Sequence, residues 1–136
     1  MTTVAQRDLA RHIQHIPARD IDTYGAMSYT PNGYSTGYLP DRLVRVLSNL
    51  RDRQQHIPMV YSYGTPIAWY DREHEVWVKP DVSYSVTTAK HQGYLWSLSS
   101  VGIPADCGPR EYERYVSKQM IYRGNTTVPG PAFVLG

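Results

Sequence analysis

Met59-Val60-Tyr61-Ser62-Tyr63-Gly64-Thr65-Pro66-Ile67-Ala68-Trp69-Tyr70-Asp71-Arg72-Glu73-His74-Glu75-Val76-Trp77-Val78-Lys79 is the stretch that decides the fold. Residues 59–63 alternate after Pro58, residues 67–70 continue in strand-favouring types, and residues 75–79 return with period two. Gly64-Thr65-Pro66 interrupts the first pair as a turn or bulge, and the polar run 71–74 separates the second. The pattern predicts a twisted antiparallel sheet of three strands. Trp69 and Trp77 are expected to meet across the second hairpin, where an aromatic pair contributes ~0.2–1 kcal/mol. His74 and Glu75 fall at the hairpin tip and read as exposed surface residues.

Helices flank this stretch. Upstream, Pro40 suits a first helical position, Asp41 suits the positive end, and Leu43, Val46, Leu47 and Leu50 form one apolar stripe. The other face carries Arg42, Arg45, Arg51 and Arg53, either a solvated face or a phosphate contact. Downstream, Ser85 is the candidate cap of a helix over residues 86–99, with Thr88, His91, Leu95 and Leu98 on one face. A last helix is expected to start at Pro109 and run past Tyr112, Val116 and Met120. At the N-terminus, Thr3-Val4-Ala5-Gln6 fits a capping box, and Ala5, Leu9, Ile13 and Ile16 predict a helix stopped by Pro17. Around Pro31-Asn32-Gly33, residues 25–30 and 34–38 read as a β-hairpin, with an ordered Tyr-rich loop as the competing assignment.

Composition narrows the function classes. The chain has 136 residues, 41% hydrophobic and 19% charged, which describes one globular domain rather than a disordered segment. We divide it into a helical and Tyr-rich part over 1–56, a sheet-plus-helix part over 57–124 and an extended apolar tail over 125–136. Its formal net charge is only +2, modest for a dedicated duplex-binding module. Cys107 stands alone, so no intrachain disulfide or thiolate-rich metal site is expected. The first residues carry no basic region followed by an apolar run, and no stretch approaches ~18 apolar residues, so a membrane partner is not expected. Twelve tyrosines against one phenylalanine are the strongest compositional signal. Tyr offers a ring that packs and a hydroxyl that needs water or a partner, which suits interfaces and base-stacking surfaces.

The candidate site is the junction from Tyr84 to Gln92. A helix start offers free backbone donors and a positive dipole end. Ser85, Thr87 and Thr88 add hydroxyls there, and Lys90 and His91 add positive or switchable charge. This suits a nucleic-acid phosphate and equally describes an ordinary capped helix. No catalytic group is assigned: Cys107 lies in no recognisable nucleophile setting. No metal or cofactor is assigned either, because the five histidines lack i, i+4 spacing and no phosphate loop is present.

Over about residues 60–99, the motifs Tyr61-Ser62-Tyr63-Gly64-Thr65-Pro66-Ile67-Ala68-Trp69, Val76-Trp77 and Tyr84-Ser85-Val86-Thr87-Thr88-Ala89-Lys90-His91-Gln92 carry a resemblance. The chain resembles a group of small, functionally uncharacterised proteins encoded by bacteriophages of actinobacteria. The resemblance implies viral origin and action in the host cytoplasm, and it carries no activity and no catalytic residue. It singles out Ser62, Tyr63 and Thr65 with Thr87, Thr88, Lys90 and His91 as polar groups that could converge where a strand end meets a helix start.

The sequence therefore predicts an α+β fold, a small antiparallel β-sheet packed by about four helices. The expected function is a non-enzymatic phage accessory protein that binds DNA or RNA. Arg42, Arg45, Tyr63, Tyr84, Ser85, Thr87, Thr88, Lys90 and His91 are the candidate contacts. The alternative is a protein-interaction module for a host protein, or a minor virion component, to which the apolar tail 132–135 would contribute.

Overall fold

The computed structural model describes residues 2–118 in full and residues 120–123 and 126–129 by backbone alone. Its centre is the expected meander: β4 (Met59–Ser62), β5 (Thr65–Asp71) and β6 (Val76–Asp81) pair antiparallel. The sheet does not stop there. β1 (Thr2–Val4), β2 (Ile21–Thr23) and β3 (Met27–Thr30) extend it on one side and β7 (Ser100–Pro104) on the other. The seven strands lie side by side in chain order. Both outer pairs, β1–β2 and β6–β7, are parallel. Parallel neighbours cannot be joined by a tight turn and need a crossover. The segment holding α1 (Leu9–Ile13) supplies one and that holding α3 (Val86–Gly93) the other. α2 (Asp41–Arg53) lies between β3 and β4, and α4 (Pro109–Ser117) follows β7. A separate pair, β8 (Met120–Arg123) with β9 (Thr126–Pro129), ends the described chain, and the expected apolar tail at 132–135 lies outside the described residues. The class is α+β with four α-helices among the described residues, but the sheet is large and mixed rather than small and antiparallel.

Two local expectations fail for identifiable reasons. The capping box at Thr3 does not form. Thr2, Thr3 and Val4 pair with Ile21, Asp22 and Thr23, and a single turn of 3-10 helix over Gln6–Asp8 leads into α1. A cap contributes ~1 kcal/mol, whereas strand pairing also buries Val4 against the core. The second arm of the predicted Tyr hairpin is also absent. Residues 34–38 form a loop laid over the start of β5, where Ser35 Oγ donates to the Gly64 carbonyl (2.8 Å) and Tyr38 N donates to Thr65 Oγ1 (3.0 Å). Gly37 has a left-handed φ of 48°, and a side chain there would run into Thr65 and the Gly64 carbonyl. The ordered Tyr-rich loop is the assignment that forms.

The sheet is covered on both faces. α2 and α4 bury Leu43, Leu47, Leu50, Tyr112 and Val116 against Met59, Trp69, Val78 and Ile103. α1 and the segment after α3 bury Leu9, Ile13, Leu95 and Leu98 against Val60, Ile67, Ala68 and Trp77. Strands buried on both faces read as near-continuous apolar runs, and β5 does so from Pro66 to Trp69. Trp69 and Trp77 do not meet: Trp69 pairs with Val78 and Trp77 with Tyr70, so the two indoles fall in opposite cores. Trp69 lies by Tyr112 (ring centroids 6.4 Å) and Trp77 edge-on to Tyr70 (5.5 Å).

One buried carboxylate locks the α2–α4 face to the β5–β6 turn. Asp71 is fully buried. Its Oδ1 accepts from Gln54 Nε2 (2.8 Å), Glu73 N (3.0 Å) and His74 N (3.1 Å). Its Oδ2 faces Tyr112 Oη (2.9 Å) and His74 Nδ1 (3.0 Å). The other imidazole nitrogen, Nε2, lies 2.9 Å from Glu113 Oε1 on α4. His74 is therefore a clamp rather than the exposed tip residue expected, its side chain only 14% accessible. Carboxylates only accept, so two of them, one on each ring nitrogen, call for the imidazolium. Burial opposes that charge, but Asp71 and Glu113 outweigh it and raise the pKa. With the folded value raised, the clamp's contribution is complete below the unfolded value of ~6.5 and is lost as pH climbs through the folded value. Urea unfolding between about pH 5 and about pH 9 is expected to show a stability difference between wild type and His74→Gln of about 1–3 kcal/mol at the acid end that shrinks at the alkaline end. A difference independent of pH would reject the charged clamp.

Candidate functional site at the β4–β5 turn

The turn between β4 and β5 has two residues, Tyr63 and Gly64, closing the pair Ser62–Thr65. Both have left-handed backbones, φ 51° and 79°, as the tightest hairpin turns require. Gly64 adopts this freely, whereas a side chain makes it unfavourable by ~1–2 kcal/mol. The turn chemistry therefore argues against Tyr at position 63. Core packing does not explain it either, because Tyr63 is 60% exposed. Its ring stacks on His91 (centroids 5.7 Å, planes at 23°), and His91 stacks in turn on Tyr94 (6.5 Å, 29°). Tyr63 is the outer end of a three-ring ladder.

Beneath the ladder lies a closed polar network. Ser62 Oγ sits 2.6 Å from His91 Nδ1 and donates to Thr88 Oγ1 at 3.2 Å. Ser85 caps α3 as expected: its Oγ accepts from Thr88 N (3.1 Å) and its hydroxyl donates to Thr88 Oγ1 (3.2 Å). Gln6 Nε2 lies 3.3 Å from His91 Nε2. Burial, reinforced by Lys90, lowers the His91 pKa and favours the neutral ring. With Gln6 donating to Nε2, the ring proton resides on Nδ1 and is donated to Ser62. His91 then holds Ser62 instead of deprotonating it. Ser62, His91 and Thr88 are all buried, which suits a group of residues that orients a surface rather than one that meets a substrate.

Around the ladder stands an aromatic rim. Tyr24 occupies the β2–β3 turn, whose Ala26 carbonyl accepts from Tyr63 N (2.9 Å). Tyr38 follows the loop anchored to Thr65. Val86 opens α3 one residue beyond the Ser85 cap. All three are strongly exposed.

The expected site residues divide into two groups. Tyr63, Ser85, Thr88 and His91 converge on Ser62, and Thr87 and Lys90 are exposed on the same helix. Tyr84 is half-buried just before it, with a hydroxyl that is buried and has no partner among the described residues, and a pKa raised by that burial. Arg42 and Arg45 lie across the sheet, on the helix packed against the other face. Arg42 pairs with Glu111 (3.1 Å), while Arg45 is exposed. Arg51 donates to the Gly33 carbonyl (3.0 Å) and covers the Tyr34 ring, and Arg53 pairs with Glu73 (3.0 Å). The arginine face is thus largely engaged with the protein itself. Gln6 was not anticipated: it lies 85 positions from His91, with no spacing signal to connect them.

A model of a family of unknown function, DUF8033, matches residues 22–98, more than half of the chain. The chain belongs to that family. No curated protein and no solved structure matches it. The matched span runs from β2 to just beyond α3 and includes Ser62, Tyr63, Thr88 and His91, while Gln6 lies outside it.

Two substitutions separate display from support. In Tyr63→Asn, relief of ~1 kcal/mol of backbone strain offsets a stacking loss of ~0.5–1.5 kcal/mol, so the urea midpoint is expected to stay close to wild type. In Ser62→Ala, His91 and Thr88 lose a buried partner, which costs about 1–3 kcal/mol. Strong destabilisation by Tyr63→Asn would make that ring a structural element and not a displayed one.

Proposed function

We propose that this is a non-enzymatic phage accessory protein that binds single-stranded nucleic acid at the β4–β5 turn. The observation that carries the reading is Tyr63, held in an unfavourable backbone conformation as the exposed end of a ring ladder. A flat base laid on that ring extends the stack by one member, and base–aromatic stacking is worth ~1–3 kcal/mol per base. Tyr24 and Tyr38 offer further faces, and Lys90 and Thr87 stand ready for a backbone phosphate. Arg42 and Arg45 take no part in this contact, since they stand on the opposite layer. The phage origin and the host cytoplasm as its place of action rest on the resemblance over residues 60–99.

The second reading is a surface for a host protein. It is favoured by the commitment of Arg42 and Arg53 to ion pairs, which removes cations from phosphate contact, and by the uncharged Tyr24, Tyr38 and Val86 around the ladder. Tyr is a frequent anchor of such interfaces.

Fluorescence anisotropy with labelled single-stranded DNA and RNA at ~50 mM salt tests the first reading. Tyr63→Ala is expected to weaken binding by about tenfold or more. Lys90→Ala is expected to weaken it and to flatten a salt dependence that is already shallow, corresponding to roughly one or two phosphates. No binding to either strand, or binding indifferent to Tyr63, would overturn it. A host protein captured through Tyr63 from nuclease-treated lysate would put the second reading in its place.

A further inference from the structure

At the opposite end of β5 from the aromatic rim, Glu73, His74 and Glu113 each bring one ligand atom to within 4.8 Å of the others. We propose that these three side chains form a binding site for a single first-row divalent metal ion of the zinc type. The donor set is one imidazole nitrogen and two carboxylate oxygens, a mixture that such ions accept, with a fourth position left to water.

The setting of His74 extends the argument beyond a group of surface acids. A ligating histidine usually has its second nitrogen held by a carboxylate, which fixes the ring and sharpens its basicity. Asp71, fully buried, does this to Nδ1 at 3.0 Å and leaves Nε2 directed at Glu113. Asp71 is itself held by Gln54, by Tyr112 and by two backbone amides of the turn, so the imidazole is aimed in advance. The Glu73 and Glu113 side chains are 46% and 48% accessible, so both carboxylates are open to solvent.

Two cations already serve this place. Arg53 Nε lies 3.0 Å from Glu73 and its Nη2 lies 3.8 Å from Glu113. The proton on His74 Nε2 bridges to Glu113 at 2.9 Å. A metal ion entering the site displaces both. Arg53, 40% accessible, swings out to solvent, and one proton leaves His74 for the buffer as the metal–nitrogen bond forms. Arg53 is thus a competitor, and removing it should tighten metal binding.

Zinc chloride titrated into the full chain by calorimetry, in a buffer that does not chelate, tests the proposal. One ion per chain is expected, with release of a proton. His74→Gln, and separately Glu73→Gln with Glu113→Gln, should weaken binding at least tenfold, with folding followed by circular dichroism. Arg53→Gln leaves all three ligands in place and should strengthen binding severalfold. Absence of binding, binding unaltered in His74→Gln, or no gain from Arg53→Gln would each overturn the proposal. Any heat that remained would then come from an adventitious ion only, for instance on exposed His12 of α1 and His15 just beyond it.

Discussion

The fold depends on a charged group with no access to water. Asp71 ends β5 in full burial, and leaving such a carboxylate unpaired would cost several kcal/mol. Its partners come from four places: Gln54 just past α2, two amides of the β5–β6 turn, the His74 ring and the Tyr112 hydroxyl of α4. Tyr112 passes the link on by accepting from Trp69 Nε1 at 3.3 Å, inside the α2–α4 core. The geometry of one face of the sheet is therefore set by a polar hub, and the apolar residues around it supply most of the stabilisation. Hydrophobic contacts tolerate sliding. Five hydrogen bonds to one carboxylate do not.

The layered arrangement also separates the arginine helix from the α3 hydroxyls. Alternation along β4 sends Met59 and Tyr61 to the α2–α4 side and Val60 and Ser62 to the α1–α3 side. The strand thereby delivers Ser62 to His91 and keeps the arginine helix on the far face. A surface that combined the α2 arginines with the α3 hydroxyls would have to wrap around a sheet edge. The α2 arginines are thus kept away from the aromatic rim, where the reading proposed above relies on ring stacking and on Lys90.

Much of this was legible in the sequence. The α2 stripe, the three central strands, the Ser85 cap and the start of α4 at Pro109 are local patterns, each carried by neighbouring residues. The motifs offered Ser62, Tyr63, Thr65, Thr87, Thr88, Lys90 and His91 as groups that could converge, and of their polar atoms the fold joins those of Ser62, Thr88 and His91. What escaped was non-local. β1 and β2 have three residues each, too short to show a period, and they depend on non-local pairing, β1 with β2 and β2 also with β3. β7 offered Val101 and Ile103 as buried alternates, but two positions do not establish a strand. His74 reads as a surface residue because Glu113, 39 positions away, is invisible from its neighbourhood. The tryptophans were assigned to one face by spacing alone, while the register at Tyr70–Trp77 places them on two.

Six of the tyrosines among the described residues illustrate two different physical reasons for the type. Tyr29, Tyr61 and Tyr112 are buried, and each hydroxyl meets an acceptor, respectively the Pro17 carbonyl, Met59 Sδ and Asp71. For these the phenol is a core residue with a polar handle, and burial raises the pKa of all three. Tyr24, Tyr38 and Tyr63 are exposed, and no core demand accounts for them. Tyr63 goes furthest, because a smaller or more flexible residue would fit its backbone better. Neither its backbone preference nor the core accounts for Tyr at position 63, which leaves what its side chain touches. On the protein side that is His91, a buried ring fixed by Ser62 and Gln6, which makes the platform under Tyr63 rigid before any ligand arrives. A platform fixed in this way loses less entropy on any association, and the bonds to Gln6 and Thr88 give the buried Ser–His pair a structural role.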